Sequence, residues 1–377
     1  MRRLCAAALL AAAPCLMTAA SAQTEKPLRI VSIDVEGGAA TLFVTPEGKS
    51  LLIDTGWEPN FGEMPSPDGT QQSADRIVKA AKALGVSKLD YVLITHYHDD
   101  HSGGTTALAA KMPIGTFIDH GPNGDPLPPG TPPDKVINRP GGQYPLYVKA
   151  IAGHERIIAK AGDVIQIGSL TDTIVASDGQ VIDAPLPGAG AANPDCGGAD
   201  EQRKLPVNEN TRSVASLLRF GKVTIAQFGD LSWDREYALA CPVDRIGKVN
   251  LLLVTQHGSA DVSSNPAQVR AMHPDVAIMP NGGKKGGDAK VIRLLAQLPG
   301  LRGFWRLHDS FAHPELIGNP DRVANLNPPR AAIEKVADRP YEAPPDMGFN
   351  IMAEVTRDGT ITVINGRNGY RQTYKVD

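Results

Sequence analysis

The stretch that most constrains this chain is Leu89-Asp90-Tyr91-Val92-Leu93-Ile94 followed by Thr95-His96-Tyr97-His98-Asp99-Asp100-His101. The apolar run reads as a buried strand, and three histidines and two aspartates follow at once. In extended chain His96 and His98 project from the same side. Ser102-Gly103-Gly104 then supplies a helix cap and two permissive glycines where the chain must turn. Neutral imidazole and carboxylate suit zinc, and the C-terminal end of a strand is where open α/β sheets place their sites. A His-rich surface loop is the bland alternative. The density of ligand types points instead to a metal site.

The chain opens with Met1-Arg2-Arg3, an apolar run from Leu4 to Met17, and Ala20-Ser21-Ala22. A basic start, a short apolar core and an A-x-A site read as a signal peptide over 1–22. The run is too short to span a membrane, which needs roughly 20 apolar residues. The expectation is a periplasmic or secreted protein with no membrane anchor after cleavage. Loss of Arg2 and Arg3 takes the formal charge from −3 to −5. Such a chain has no global field drawing it to nucleic acid or anionic lipid, so no stable nucleic-acid complex is expected. Cys196 and Cys241 remain, and in an oxidising compartment a disulfide is favoured over two buried thiols.

Residues 28–35, 40–45 and 50–53 read as a three-strand meander ending in Asp54-Thr55-Gly56. Asp54 either braces a neighbouring loop or binds metal; with no second ligand nearby, bracing is favoured. A helix follows over 73–84 with Ser73 and Gly85 as caps, and strand–helix–strand order implies a right-handed crossover. A helix at 105–111 leads to a strand at 115–119 and then to His120, which either approaches the metals or marks a polar loop. Pro- and Gly-rich insertions lie near 121–145 and 184–209. Residues 146–160 read as a helix with His154 on its surface, and 164–167 and 172–177 as strands. The hairpin 213–220/223–228 ends in Gly229-Asp230, a helix spans 233–240, and the buried strand 249–256 ends in His257-Gly258-Ser259. Strand followed by a metal-competent side chain thus recurs. Further on, 292–298 reads as a helix and Trp305 opens an irregular segment containing His308 and His313, neither favoured as a ligand. A D-G hairpin over 349–355 and 360–365 is expected to finish the second sheet. Residues 23–377 are read as one domain.

His96-x-His98-x-Asp100-His101, with Asp54-Thr55-Gly56 before it and Gly229-Asp230 and His257-Gly258-Ser259 after it, resembles the metallo-β-lactamase superfamily. Asn210-x-x-Ser213, Phe220-Gly221, Gly229-Asp230 and His257-Gly258-Ser259 are similar, more closely, to the hydrolase domain of ComEC-type DNA-uptake proteins. The resemblance implies an α/β fold, a four-layer αββα sandwich with metals at one edge between two sheets. It implies that His96 and His98 bind the first metal, that Asp100, His101 and His257 bind the second, that Asp230 bridges, and that Asp54 braces the loop. Many members carry a further histidine about twenty residues before the bridging aspartate. Of the nine histidines here none lies between His154 and His257. Asn210 and Ser213 occupy that region, so the first site should be the weaker.

The expected activity is that of an exported hydrolase, with Asp100 and Asp230 as its catalytic carboxylates. Two Zn2+ ions are expected, with Mn or Fe as alternatives, holding a hydroxide at neutral pH. A cationic centre in an acidic chain leans to phosphodiester and phosphate-ester substrates, small molecules or oligonucleotides. Hydrolysis of a lactam, lactone or thioester is the alternative; a non-catalytic, metal-braced binding protein is the second. Ser259, Lys284 and Lys285 either hold an anionic substrate or belong to a solvated loop.

Overall fold

The computed structural model describes residues 26–59, 72–125, 127–131, 140–326 and 347–376. The expected signal peptide at 1–22 lies outside the described residues. Among those described, no helix is long and apolar enough to cross a membrane.

The meander is β1 (Leu28–Ser32), β2 (Thr41–Val44) and β3 (Ser50–Ile53). Helix α1 (Ser73–Ala83) crosses to β4 (Leu89–Leu93), which pairs with β3 in parallel. Helix α1 has no side-chain cap: Gln72 is the N-cap, and the Ser73 hydroxyl instead accepts from the Trp57 N–H at 3.0 Å. Short helices α2 (Asp99–Ser102) and α3 (Thr105–Lys111) precede β5 (Ile114–Asp119). The expected helix at 146–160 is displaced. Helix α4 runs Pro140–Ala150, Gly153 turns at φ +86°, and Glu155–Ile158 forms β6 along the open edge of β5. The available edge outcompetes local helical spacing, and His154 falls in the turn.

Strands β7 (Val164–Ile167), β8 (Leu170–Ser177), β9 (Gln180–Val181), β10 (Ala215–Phe220) and β11 (Val223–Gln227) follow, then α5 (Trp233–Ala240) and β12 (Leu251–Leu253). Helix α6 (Pro266–Met272), β13 (Val276–Met279), α7 (Ala289–Ala296), β14 (Gly303–His308) and β15 (Val323–Asn325) complete the second half. The segment read as irregular from Trp305 is therefore the strand β14, whose Trp305 and Leu307 are buried between the sheets. The D-G hairpin forms as β16 (Ile351–Val355) and β17 (Thr360–Asn365), extended by β18 (Arg371–Lys375). It joins the first sheet, not the second, because β16 pairs with the free side of β1.

Two nine-stranded sheets result, one ordered β18-β17-β16-β1-β2-β3-β4-β5-β6, the other β15-β14-β13-β12-β11-β10-β8-β7 with β9 beside β8. Phe43, Leu51 and Leu93 of the first face Phe220, Leu251 and Trp305 of the second in one apolar layer. The outer face of the first packs on α1, α3 and α4 through Ile77, Leu108 and Tyr147. That of the second packs on α5, α6 and α7 through Leu239, Val269 and Leu295. The chain is a four-layer αββα sandwich, with strand ends of both sheets meeting at one edge.

Cys196 and Cys241 are joined, tying the 184–209 insertion to the end of α5 across a separation of 45 residues. Reduction is expected to lower stability by about 4 kcal/mol, the loop-entropy value for that length. Urea unfolding with and without reductant measures it; an unchanged midpoint would contradict the estimate.

Asp172 of β8 lies on the inter-sheet face and is buried, with the Ser216 hydroxyl donating to Oδ2 at 2.9 Å. Burial pushes its carboxyl up to about 7, against the lowering effect of that hydrogen bond. The fold therefore favours the protonated acid, so this stabilisation is full below the ordinary carboxylate range and is lost as pH rises through about 7. Asp172→Asn is expected to raise the Tm at about pH 8, with the gap closing towards about pH 5, in thermal unfolding at both values.

Candidate metal centre

Four strand ends supply the cluster. β4 runs out into Thr95, His96, Tyr97 and His98, and period-two alternation divides them as expected. His96 and His98 share one side, their Nε2 and Nδ1 atoms 2.8 Å apart. Tyr97 points away and packs on the rings of His120, Tyr144 and Tyr147. The turn differs in its reason from expectation. Ser102 ends α2, with its hydroxyl on the His98 carbonyl. Gly103 and Gly104 have ordinary helical φ. They are required for space: a Cβ on Gly103 would lie 2.3 Å from the Asp99 carbonyl oxygen, and one on Gly104 2.1 Å from that of Thr55.

Asp54, at the end of β3, braces the loop. Its carboxylate accepts from the Thr95 N–H at 2.8 Å and the Thr95 hydroxyl at 2.9 Å, and lies 2.7 Å from His101 Nδ1. With Thr95 donating to Asp54, its oxygen is left to accept from His96 Nδ1 at 3.1 Å. Both rings then direct Nε2 into the cluster, towards Asp230.

Asp230 follows β11 through Gly229, where φ is +56° and a Cβ would lie 2.7 Å from that of Thr95. His257 follows β12 in a left-handed turn, with φ +47° at Gln256 and +55° at His257. That conformation costs about 1–2 kcal/mol per residue. It is held by the Gln256 N–H on the Gly229 carbonyl and the Gly287 N–H on the His257 carbonyl, both 2.9 Å. His257 Nδ1 donates to the Pro280 carbonyl at 3.0 Å, which fixes the tautomer and leaves Nε2 for the cluster.

The donors form two groups sharing Asp230. Asp100, His101, Asp230 and His257 make one, and His96, His98 and Asp230 the other, with all ligand atoms of each group within 4.8 Å. Asp100 Oδ2 is 3.2 Å from His101 Nε2 and 3.1 Å from His257 Nε2; Asp230 Oδ1 is 3.2 Å from His101 Nε2. Burial presses His96 and His98 below the ordinary imidazole range, into the neutral form that ligates metal. Burial opposes ionisation of both aspartates but is outweighed: Lys285 and His101 hold Asp100 well below its usual range, and His101 and His257 do so for Asp230. For His101, burial is outweighed by Asp230, Asp100 and Asp54, which raise it. Ionised carboxylates ringed by imidazoles favour a cation.

Of the supporting residues, Asn210 Oδ1 and Ser213 Oγ are buried without a hydrogen bond among the described residues. The next N–H, Val214, bonds the Thr95 carbonyl at 2.9 Å and draws that segment against the metal loop. Ser259 shapes the turn through its backbone, its N–H on the Gln256 carbonyl. His120 is not drawn into the cluster: it pairs with Glu209 at 2.8 Å, and Glu209 also accepts from the Gly124 N–H. His154 contacts the Ile114 carbonyl, and His313 lies 3.6 Å from Glu315.

Lys285 is delivered to the centre by a well-anchored loop. Gly282 N–H bonds the Lys285 carbonyl, Phe311 N–H the Gly283 carbonyl, and Asn281 the His308 carbonyl. Its ammonium contacts Asp100 Oδ2, lies 3.4 Å from His257 Nε2 and sits 4.8 Å from the centre of the Trp57 ring. Lys284 is exposed. Sequence reasoning missed a third cluster, Asp34, Glu36 and His308. Its one local sign is an aspartate just past β1 before a Glu-Gly-Gly turn.

Residues 33–190 match the model of the metallo-β-lactamase superfamily. An 87-residue stretch is 35% identical to a UPF0173 metal-dependent hydrolase of Herpetosiphon aurantiacus, covering 22% of this chain and 29% of the relative. The chain thus spans less than a third of that relative's length. Among solved structures, the metallo-β-lactamase fold protein YhfI of Bacillus subtilis is 13% identical, with a TM-score of 0.43 over 74% of this chain and 96% of its own. CmlA, a diiron β-hydroxylase from Streptomyces venezuelae, is 13% identical with a TM-score of 0.39 over 74% and 53%. Asp230 and His257 lie beyond the matched residues and reach the cluster through the fold. The family match thus covers the stretch that carries His96, His98, Asp100 and His101, and the likeness of this chain to the metallo-β-lactamase superfamily rests on that stretch.

Proposed function

We propose that this chain is a metal-dependent hydrolase working at the Asp230-centred cluster, with phosphodiesters and phosphate esters as its substrate class. The observation that carries the reading is that Asp230 belongs to both donor groups, as a residue held between two cations must. The donors suit such ions. His101 Nε2 and Asp230 Oδ1 are buried and satisfy no hydrogen bond among the described residues, although 3.2 Å apart. His96, His98 and Asp230 would hold the first ion, and Asp100, His101, His257 and Asp230 the second. Zinc fits this nitrogen-and-carboxylate set, and manganese or iron are alternatives. Divalent ions there would supply Lewis acidity and an acidified water.

The chain's own groups do the rest. Asp54 and the Pro280 carbonyl fix the rings of His101 and His257, so the donor set is preorganised. Lys285 places an ammonium on the rim beside Asp100, where it would hold an anionic oxygen of the substrate; Trp57 limits its swing. This cation motivates the phosphate assignment. Export is part of the proposal, resting on the sequence at 1–22, and the Cys196–Cys241 bond accords with an oxidising compartment.

The test is metal content per chain, before and after chelation, read against turnover of bis-p-nitrophenyl phosphate, single-stranded DNA, nitrocefin and a lactone. Metal-dependent cleavage of the phosphate substrates is expected. Cleavage of the acyl substrates alone would move the reading to lactam, lactone or thioester hydrolysis, and tight binding without turnover would make this a binding protein. Asp230→Asn is expected to lose metal and to lower kcat by more than about 100-fold. If that variant keeps its metals and its turnover, the assignment fails.

Asp54→Asn should weaken metal binding by about 10–100-fold while leaving the ligands intact, as loss of an orienting carboxylate does. Competition with a chromogenic chelator measures this, and unchanged affinity would remove Asp54 from the bracing role.

A further inference from the structure

On the outer face of the second sheet, away from the metal cluster, β14 and β15 meet α7 and the segment 314–322 around a cavity of about 250 Å3. Its lining includes the apolar Leu295, Phe304 and Leu316 together with Arg306 and Arg322, and the Arg306 guanidinium lies 5.7 Å from the centre of the Phe304 ring. Arg306 is only 3% exposed. Its Nη2 donates to the Leu316 carbonyl at 2.9 Å and to that of Ile317, but Nη1 makes no hydrogen bond among the described residues. Arg322 donates from Nη2 to Gln372 at 2.7 Å, and its buried Nε is likewise unbonded. Among the described residues, neither guanidinium has a carboxylate within 4.0 Å, whereas Arg302 on the same rim is paired with Asp275 at 3.0 Å. Burial presses Arg306 down to about 10, with Asp309 pulling the other way, so it stays charged at neutral pH.

Buried charges in proteins are ordinarily paired, and the guanidinium fork matches an oxyanion in two-point contact. Here two cations, each with an N–H group left without a partner among the described residues, line one small cavity together with hydrocarbon side chains. We propose that this cavity binds a small organic oxyanion, a carboxylate or phosphate group on an apolar body of a few carbons, with the anionic end on Arg306 and Arg322. The cavity is smaller than sites for drug-sized ligands, which limits the apolar body. None of the metal-cluster residues lines it, so the site is independent of the hydrolase assignment.

The experiment titrates inorganic phosphate, phenyl phosphate and hexanoate into the intact protein, metal-loaded and after chelation, by calorimetry. Saturable binding of phenyl phosphate or hexanoate to the chelated protein is expected, tighter than inorganic phosphate. In the metal-loaded protein, where phenyl phosphate also meets the proposed hydrolytic centre, hexanoate binding is expected to persist. The better of the two names the anionic group. Arg306 also caps backbone carbonyls, so Arg306→Lys is paired with Arg322→Gln, which spares that role. Each should weaken binding by about tenfold or more, and if Arg306→Lys does not fold, Arg322→Gln decides alone. No saturable binding, binding lost with the metals, or binding unchanged in Arg322→Gln would each overturn the proposal.

Discussion

The Asp54 carboxylate holds both ends of the His96–His101 loop. It takes the N–H and hydroxyl of Thr95 on one side and the ring of His101 on the other. Hydrogen bonds to an ionised acceptor inside the protein are stronger than neutral ones, and here they fix a tautomer as well as a position. Asp54 itself sits at φ +62°, a conformation retained because its own N–H is bonded to the Leu93 carbonyl. Thr55 adds N–H and hydroxyl bonds to the His101 carbonyl. The end of β3 and the short helix α2 are thereby in such close contact that Gly103 and Gly104 cannot carry a side chain. A loop of five ligand-type residues would otherwise be a mutually repelling polar segment; fastened at both ends, it becomes a rigid donor set.

The second sheet contributes its donors by a different device. β11 and β12 are parallel neighbours, so their C-terminal ends fall side by side at the edge where β3 and β4 also end. Gly229 and the left-handed residues Gln256 and His257 bend both chains inward, and the two turns are bonded to each other. The strain at His257 is stored where a ligand must leave the line of its strand. The 281–288 loop then closes over the same turn and carries Lys285 to Asp100. Donors, orienting groups and one cation thus reach the site from both sheets.

The parts of this arrangement that could be read from the sequence are those set by short-range periodicity. His96 and His98 share a side and Tyr97 opposes them because a strand alternates. Asp230 and His257 stand out because each ends an apolar run. The differences in strand and sheet assignment involve pairing partners distant in the chain. Residues 155–158 have no strong strand signal of their own and become β6 only because β5 offers an edge. Trp305 and Leu307 read as irregular without the knowledge that β13 lies alongside, and the D-G hairpin joins the first sheet although nothing local says that β1 has a free side. The glycines at 103 and 104 matter not for backbone freedom, as a turn would suggest, but for the proximity of Thr55 and Asp99.

The third cluster shows why a group of ligand-type residues is not by itself a metal site. Asp34, Glu36 and His308 lie as close together as the members of the main groups. Yet Arg76 reaches Asp34 at 3.4 Å and Glu36 at 4.0 Å, and Asn325 donates to Asp34 at 3.1 Å. The positive charge that a cation would bring is already supplied by a guanidinium, and lone pairs of Asp34 are taken by the Asn325 amide and the His308 ring. What these residues do is join layers: Asp34 follows β1 in the first sheet, His308 and Asn325 end β14 and β15 in the second, and Arg76 comes from α1 on the outside. The Asp230 clusters differ in that their lysine, Lys285, contacts Asp100 at the rim and leaves Asp230 among the Nε2 atoms of His96, His101 and His257. That difference in charge compensation, more than the count of histidines, separates a site built to receive a cation from a polar bolt between two sheets.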